Sequence, residues 1–347
     1  MKVLHLVCTD IFSGAENVAC QIIKGFEKNK EYEMVYCSPE GKNKKSLDDR
    51  NVKFLKLEKF DIKSVKKAIE TFNPDIIHAH DIKASIMAAL LSKSNIKVIS
   101  HVHSNHENMR KINAKTMLYN FFSWRYNKII WVSQSALDSY VFKNNVRDKS
   151  LVLYNVIDGR EIEKRVQQDN NEYEEFDAIF LGRLTYCKNP ERLIEIVSKV
   201  VEKVKKFKLA IVGSGDLEEL IKEKIKEKGL EKNVKVLGFM TNPYKVLNSS
   251  KVMLLTSIYE GTPMCALEAM SLGKPIISTP TDGMKEVIIQ GFNGYLSESN
   301  EEIEKYIIEL TSDEKKLKEF SQNALVQFDK ISNIKKYVDT LDKIYSE

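Results

Sequence analysis

Short apolar runs recur along the chain, each followed by a longer amphipathic segment laced with charge. Residues 3–7 precede 15–26, 76–79 precede 83–91, and 98–102 precede 113–126. Strands that alternate with helices in this way predict parallel sheets. The same grammar restarts at 176–181, with a helix over 190–204, a strand at 209–212, a helix over 217–228 and strands near Val234 and Val252. Between the two series, 158–175 is acidic and polar and shows no apolar periodicity beyond its first few residues. Ile334, Tyr337, Val338, Leu341 and Ile344 then recur at helical spacing near the end of the sequence. The expected organisation is α/β: a doubly wound first domain over 1–158, a linker at 159–175, a second doubly wound domain over 176–332, and a C-terminal helix at 333–347.

The length agrees, because 347 residues exceed what one core usually holds. With 43% hydrophobic and 30% charged residues the chain reads as ordinary soluble protein. No uncharged apolar run approaches the roughly 18 residues of a membrane span, and the opening residues lead straight into a polar turn, unlike a secretory signal. Five cysteines without Cys-x-x-Cys spacing suggest neither a disulfide framework nor a zinc ribbon and fit a reducing cytoplasm. A net charge of +5 gives no reason to expect nucleic acid as a partner.

The chemistry concentrates after the apolar run 252–255. There Gly261 frees the backbone for a turn, and Thr262 and Pro263 suit the N-cap and first turn of a helix. Glu260 then sits on the loop, and Glu268 lies about five residues into the helix, roughly 8 Å along its axis. Amides of Met264, Cys265 and Ala266 at the helix start would meet negative phosphates, leaving one carboxylate for a sugar and one for a ribose. Arg183 and Lys188 share one post-strand loop, where a planar donor and a point charge suit a diphosphate. Gly14 would let backbone approach phosphates at another helix start. Ligands of open parallel sheets gather beyond the carboxyl ends of strands, which is where all these loops fall. Each feature also has a plain reading: solvated surface cations, a turn glycine, two glutamates in a charged chain.

All six histidines precede residue 107, and His78, His80, His101, His103 and His106 fall on two neighbouring strand ends. His-x-His on a strand points both rings one way, as zinc sites exploit, yet structural hydrogen bonding of His78 or His80 serves equally. The segment 108–128 mixes Arg110, Lys111, Lys115, Arg125 and Lys128 with Met117, Leu118, Tyr119, Phe121, Phe122 and Trp124. Its stronger reading is the core face of a first-domain helix, and the other is a helix seated on an anionic membrane.

The run from Glu260 to Glu268, a Glu, seven residues and a Glu, resembles the hallmark of the family 4 retaining glycosyltransferases (group 1), which have the GT-B fold. Met1 to Cys8 with Ser13-Gly14-Ala15-Glu16, Pro74-Asp75-Ile76-Ile77-His78-Ala79-His80, Phe180-Leu181-Gly182-Arg183-Leu184 with Lys188-Asn189-Pro190, Ile211-Val212-Gly213-Ser214-Gly215, Leu237-Gly238-Phe239 and Gly291-Phe292-Asn293-Gly294 extend the resemblance in order over nearly the whole chain. It implies two Rossmann-like domains about a cleft, with the C-terminal helix crossing back to the first. It also implies front-face transfer of a hexose with retention, the departing phosphate taking the acceptor proton. In that scheme Glu260 orients donor hydroxyls, His103 steadies the sugar, Arg183 and Lys188 stabilise the leaving group, Glu268 holds the ribose, and Gly261, Thr262, Pro263 and Met264 shape the donor pocket. Cys265 and Ala266 depart from the bulkier residues of many relatives and leave the pocket's shape open.

No Asp-x-Asp occurs in the chain, in keeping with an enzyme that needs no metal and no cofactor. The expected partners are a nucleotide-sugar donor, UDP being the family's commonest carrier, and a glycan or lipid-linked acceptor of bacterial surface polysaccharide synthesis. The expected location is the cytoplasm, with peripheral contact at the inner face of the plasma membrane. Two rivals share the fold: a nucleotide-sugar 2-epimerase, and a non-catalytic partner subunit.

Overall fold

A computed structural model describes residues 1–103, 107–259 and 263–347. The chain divides into two units, Met1–Val156 with Asn333–Glu347, and Ile157–Ser332.

The first unit carries a seven-stranded sheet of β1 (Lys2–Leu6), β2 (Glu33–Pro39), β3 (Phe54–Leu57), β4 (Ile76–His80), β5 (Lys97–Val102), β6 (Lys128–Trp131) and β7 (Ser150–Val152). Their order is β3-β2-β1-β4-β5-β6-β7 and every pairing is parallel. Helices cover both faces, so β1 and β4 are buried almost end to end, as their continuous apolar character requires. The helix Gly14–Phe26 starts behind Ser13, whose N–H and hydroxyl both donate to the Glu16 carboxylate, at 3.0 and 2.6 Å. The C-terminal helix Ile334–Ser346 belongs to this unit and buries Tyr337, Leu341, Ile344 and Tyr345. Tyr32 donates to Asp342 at 2.6 Å, holding the C-terminal helix to the segment before β2.

The second unit carries β8 (Phe176–Leu181), β9 (Leu209–Val212), β10 (Val234–Gly238), β11 (Ser250–Leu255), β12 (Ile276–Ser278) and β13 (Gly294–Leu296), ordered β10-β9-β8-β11-β12-β13 and again all parallel. Asn189 in a left-handed conformation caps the helix Pro190–Lys203, and the fixed φ of Pro190 suits its first turn. Gly213, at φ +139°, lies where an added Cβ would come within 1.9 Å of the Gly182 carbonyl oxygen, so only glycine lets these two post-strand loops touch.

The stretch expected as a linker at 159–175 is different. Residues Gly159–Gln168 form a helix capped by Asp158, and the second unit already begins at Ile157. Its buried face consists chiefly of Ile162 and Arg165, and Arg165 lies over the ring of Tyr244 with 5.7 Å between guanidinium carbon and centroid. An arginine that buries its stem against an aromatic ring leaves no apolar periodicity to read.

Candidate functional site

Strand order in both sheets reverses at one place, between β1 and β4 in the first unit and between β8 and β11 in the second. Such switch points open crevices beyond the carboxyl ends of the strands. Among the described candidate residues, Gly14 follows β1, Arg183 and Lys188 follow β8, and Met264 and Glu268 follow β11.

In the second unit the loop after β8 carries Arg183 and Lys188. Thr256, just past β11, donates its hydroxyl to the carbonyls of Lys188 and Asn189 at 3.2 and 2.9 Å, and the Ile258 N–H donates to the Cys187 carbonyl at 2.8 Å. The two loops that frame the switch point are thereby fastened together. A Cβ at Gly182 would lie 3.8 Å from Cε of Lys188, so the lysine stem runs back past the residue before Arg183. Lys188 therefore sits at the mouth of the β8 and β11 strands, and Arg183 is exposed on the same loop. Glu260, Gly261 and Thr262 lie outside the described residues, as does His106.

The helix expected to open with Thr262 and Pro263 spans Met264–Ser271 instead, with Pro263 as its extended N-cap residue. The Ala266 N–H donates to the Pro263 carbonyl at 3.1 Å, so it is already engaged within the turn, unlike the free donor expected. Glu268 lies five residues in, as its spacing indicated, but it is buried, and the buried hydroxyl of Tyr244 donates to its carboxylate at 3.1 Å. Tyr244 opens the short helix Tyr244–Asn248 and escaped the sequence reading, because nothing in its neighbourhood marks it as polar-site chemistry.

In the first unit Gly14 is the exposed first residue of its helix, and the turn above it already holds an anion. Glu16 is buried and accepts from Thr9 at 2.6 Å in addition to Ser13. A carboxylate on the helix N-terminus takes up the positive end of the dipole. At the end of β4, Asp81 adopts φ +67°, strained for a residue with a Cβ, and accepts the backbone N–H of His103 at 2.9 Å. In the sequence Asp81 was not singled out, and Glu16 entered only as the last residue of the run Ser13–Glu16; the strand order brings them to one place.

The histidines form a buried cluster. The register pairs His5 with His78 and His80 with His101 across β1, β4 and β5. His5 Nδ1 and His80 Nε2 are hydrogen-bonded at 3.1 Å, and His80 Nδ1 and His103 Nε2 at 2.9 Å. A second line runs from Tyr345 through His78 Nδ1 at 2.7 Å and from His78 Nε2 to His101 Nδ1 at 3.1 Å. The parallel rings of His78 and His80 stack with centroids 4.7 Å apart. Burial pushes the His5 imidazole down to about 3 and holds His78, His80 and His101 well below the ordinary histidine range. His103 is lowered by burial too, while the Asp81 and Glu16 carboxylates pull it partly back. The shifts all act in one direction and favour the neutral imidazole in each of the five.

Nitrogens of His78, His80 and His101 lie within 4.8 Å of one another, the donor type of a transition-metal site. The bonds just described, however, engage every one of these nitrogens except Nε2 of His101.

The segment 108–128 bears out the core-face reading only in part, since Phe122 packs against the core that holds Tyr119 and Tyr126. Tyr119 and Tyr126 are buried, but Met117, Leu118, Phe121 and Trp124 stand 48–68% exposed. Beside them a groove of about 460 Å³ is lined by Ile62, Ile86, Met87, Leu90 and Leu118, with Lys83 and Lys115 at its wall. No helix among the described residues is long and apolar enough to cross a membrane.

Comparison with known proteins follows the same division. A family model described as "Glycosyltransferase Family 4" matches residues 12–160, and one described as "Glycosyl transferases group 1" matches 161–327. An uncharacterized glycosyltransferase of Methanocaldococcus jannaschii, MJ1059, is 31% identical over 66% of this chain, a match that spans only 61% of the archaeal protein's own length. The capsular polysaccharide biosynthesis glycosyltransferase CapH of Staphylococcus aureus is 27% identical over 88% of this chain and 87% of its own. The UDP-Gal:alpha-D-GlcNAc-diphosphoundecaprenol alpha-1,3-galactosyltransferase of Escherichia coli is 24% identical over 99% of this chain and 96% of its own. Among solved structures, Anabaena HepE in complex with UDP-glucose superposes with a TM-score of 0.85 at 20% identity, covering 100% of this chain and 99% of that one, which shows a shared fold.

Proposed function

The chain belongs to the group 1 glycosyltransferases of family 4, and from that membership we propose that it moves a hexose from a UDP-sugar to a lipid-linked or growing glycan acceptor in polysaccharide synthesis, with retention of the anomeric configuration and without a metal. In the transfer, the bond from the anomeric carbon to the diphosphate oxygen breaks as the acceptor oxygen attacks on the same face. The acceptor's proton passes to the departing phosphate. Charge grows on that phosphate, so fixed cations at its position lower the barrier more than they tighten ground-state binding.

The observation that carries the reading is the loop after β8, where Arg183 and Lys188 sit at the switch point on a backbone fastened by Thr256 and Ile258. A planar guanidinium and an ammonium there suit a diphosphate, and they do the work that a divalent ion performs elsewhere. Glu268, held by Tyr244, is assigned the ribose. Glu260 is assigned the donor hydroxyls and His103 the sugar. Gly14, Gly261, Thr262, Pro263 and Met264 are assigned to donor binding, as the family resemblance implies. UDP as carrier is supported by the names of the Escherichia coli relative and the HepE complex, and a diphosphate-lipid acceptor by the former. The exposed apolar side chains of 117–124, beside Lys83, Arg110, Lys111 and Lys115, support contact with an anionic membrane where such an acceptor resides.

The deciding experiment is product analysis. A panel of UDP-sugars is incubated with a diphosphate-lipid glycan acceptor in the presence of EDTA, and the product is examined by proton NMR. An α-linked product from an α-linked donor is expected. Free epimerised nucleotide sugar in place of a glycoside would replace transfer with isomerisation, and inverted product would remove retention.

A further inference from the structure

The run His5–His80–His103 is a closed problem in hydrogen placement. A neutral imidazole has one N–H and one lone pair, so each ring must donate from one nitrogen and accept at the other. Three rings in line permit two arrangements. In the first, His5 donates from Nδ1 to His80, His80 donates from Nδ1 to His103, and His103 is left with a proton on Nδ1. In the second every bond is reversed: His103 donates from Nε2, His5 carries its spare proton on Nε2, and His103 Nδ1 is a bare lone pair. Neither His5 Nε2 nor His103 Nδ1 has a protein partner among the described residues.

Burial does not choose between them, because both terminal nitrogens are buried and either arrangement leaves one buried N–H without a partner among the described residues. The neighbouring charges do choose. Asp81 accepts the His103 backbone N–H at 2.9 Å, and Glu16 in the first turn of the helix Gly14–Phe26 acts on the same imidazole, so negative potential gathers at the His103 end and draws the proton there.

We infer that His80 and His5 are positioning residues that hold His103 in the Nδ1–H tautomer, so that His103 meets its ligand as a hydrogen-bond donor to oxygen and not as a base. That the oxygen belongs to a donor sugar or its phosphate rests on the function proposed above; the tautomer does not. A donor there stabilises oxygen that gains negative charge during transfer, and it takes no proton from the acceptor, in keeping with a phosphate that does so itself. The second line, Tyr345–His78–His101, stacks on the first and fixes its ring planes.

The test is nitrogen-15 NMR of the full chain labelled at histidine, with and without UDP-glucose. Long-range correlations separate protonated from bare ring nitrogens. His103 protonated on Nδ1, with that resonance moving on ligand addition, is the expected result. His80→Asn places an amide near the former Nδ1 and should preserve both the tautomer and most of kcat. His80→Leu should release His103 to the Nε2–H form and lower kcat about tenfold or more, with donor KM little changed. A bare Nδ1 on wild-type His103 overturns the inference whether or not sugar is transferred. The inferred tautomer in a protein that transfers no sugar leaves the wire intact and removes the proposed function instead.

Discussion

Arg183 and Lys188 differ in what they offer a diphosphate. The guanidinium gives a planar fork and the ammonium a mobile point charge, and their loop is anchored through backbone bonds that neither side chain makes. Replacing either with Ala should therefore lower kcat on the order of a hundredfold while leaving the melting temperature nearly unchanged. Steady-state rates alongside thermal melts check this, and an unchanged rate would discard the assignment. Tyr244 makes a subtler case. Its hydroxyl is the buried donor to Glu268, and Tyr244→Phe removes a bond to a charged group, worth about 1.5–3 kcal/mol, without changing shape. If Glu268 holds the ribose, UDP-sugar KM should rise about tenfold with a small change in kcat, and donor titration would show it. At this scale the sequence marked Glu268, Arg183 and Lys188 by spacing after strands. It did not mark Tyr244 or Asp81, and gave Glu16 no role beyond its run; their parts arise only when separate strands are brought side by side.

Strands and most helices were readable because each is a continuous apolar run or a clear amphipathic period. Residues 176–181 and 209–212 form strands over those same spans. The helix Gly159–Gln168 was not readable, since one of its two principal buried residues is Arg165, packed on an aromatic ring. Histidine spacing gave the shared face of His78 and His80, but the bonds to His5, His101 and His103 depend on strand register, which no local pattern contains. The segment 114–125 shows the opposite failure. Its aromatic residues read as core, and Tyr119 and Phe122 are so placed, yet Phe121 is 66% and Trp124 68% exposed. Exposed apolar side chains beside lysine and arginine favour an anionic bilayer. Vesicles containing phosphatidylglycerol should retain the protein on sedimentation, neutral phosphatidylcholine vesicles should retain much less, and a Phe121→Ser, Trp124→Ser double variant should be released from both. Equal partition of wild type and variant would remove the membrane contact.

At the scale of the whole molecule the buried imidazoles tie the stability of the first unit to pH. Their folded-state pKa values lie below the unfolded value of about 6.5, so the stabilisation is complete above that pH and is lost as pH falls toward the folded values, about 3 for His5. Each imidazole titrating only when unfolded removes about 1.4 kcal/mol per pH unit. Both tryptophans, Trp124 and Trp131, lie in this unit, so their fluorescence follows its unfolding. The urea midpoint should drop steeply between pH 6.5 and 5, and a midpoint flat across that window would mean that the cluster is not neutral in the folded state.

The diphosphate subsite itself is tested most directly by calorimetric titration of UDP, the leaving group alone, into wild type and into the Arg183→Ala and Lys188→Ala variants. Saturable one-to-one binding that each substitution weakens about tenfold or more is the expected result. Absence of UDP binding by the wild type, or equal affinity in all three proteins, would contradict the placement of the nucleotide at the β8 and β11 switch point.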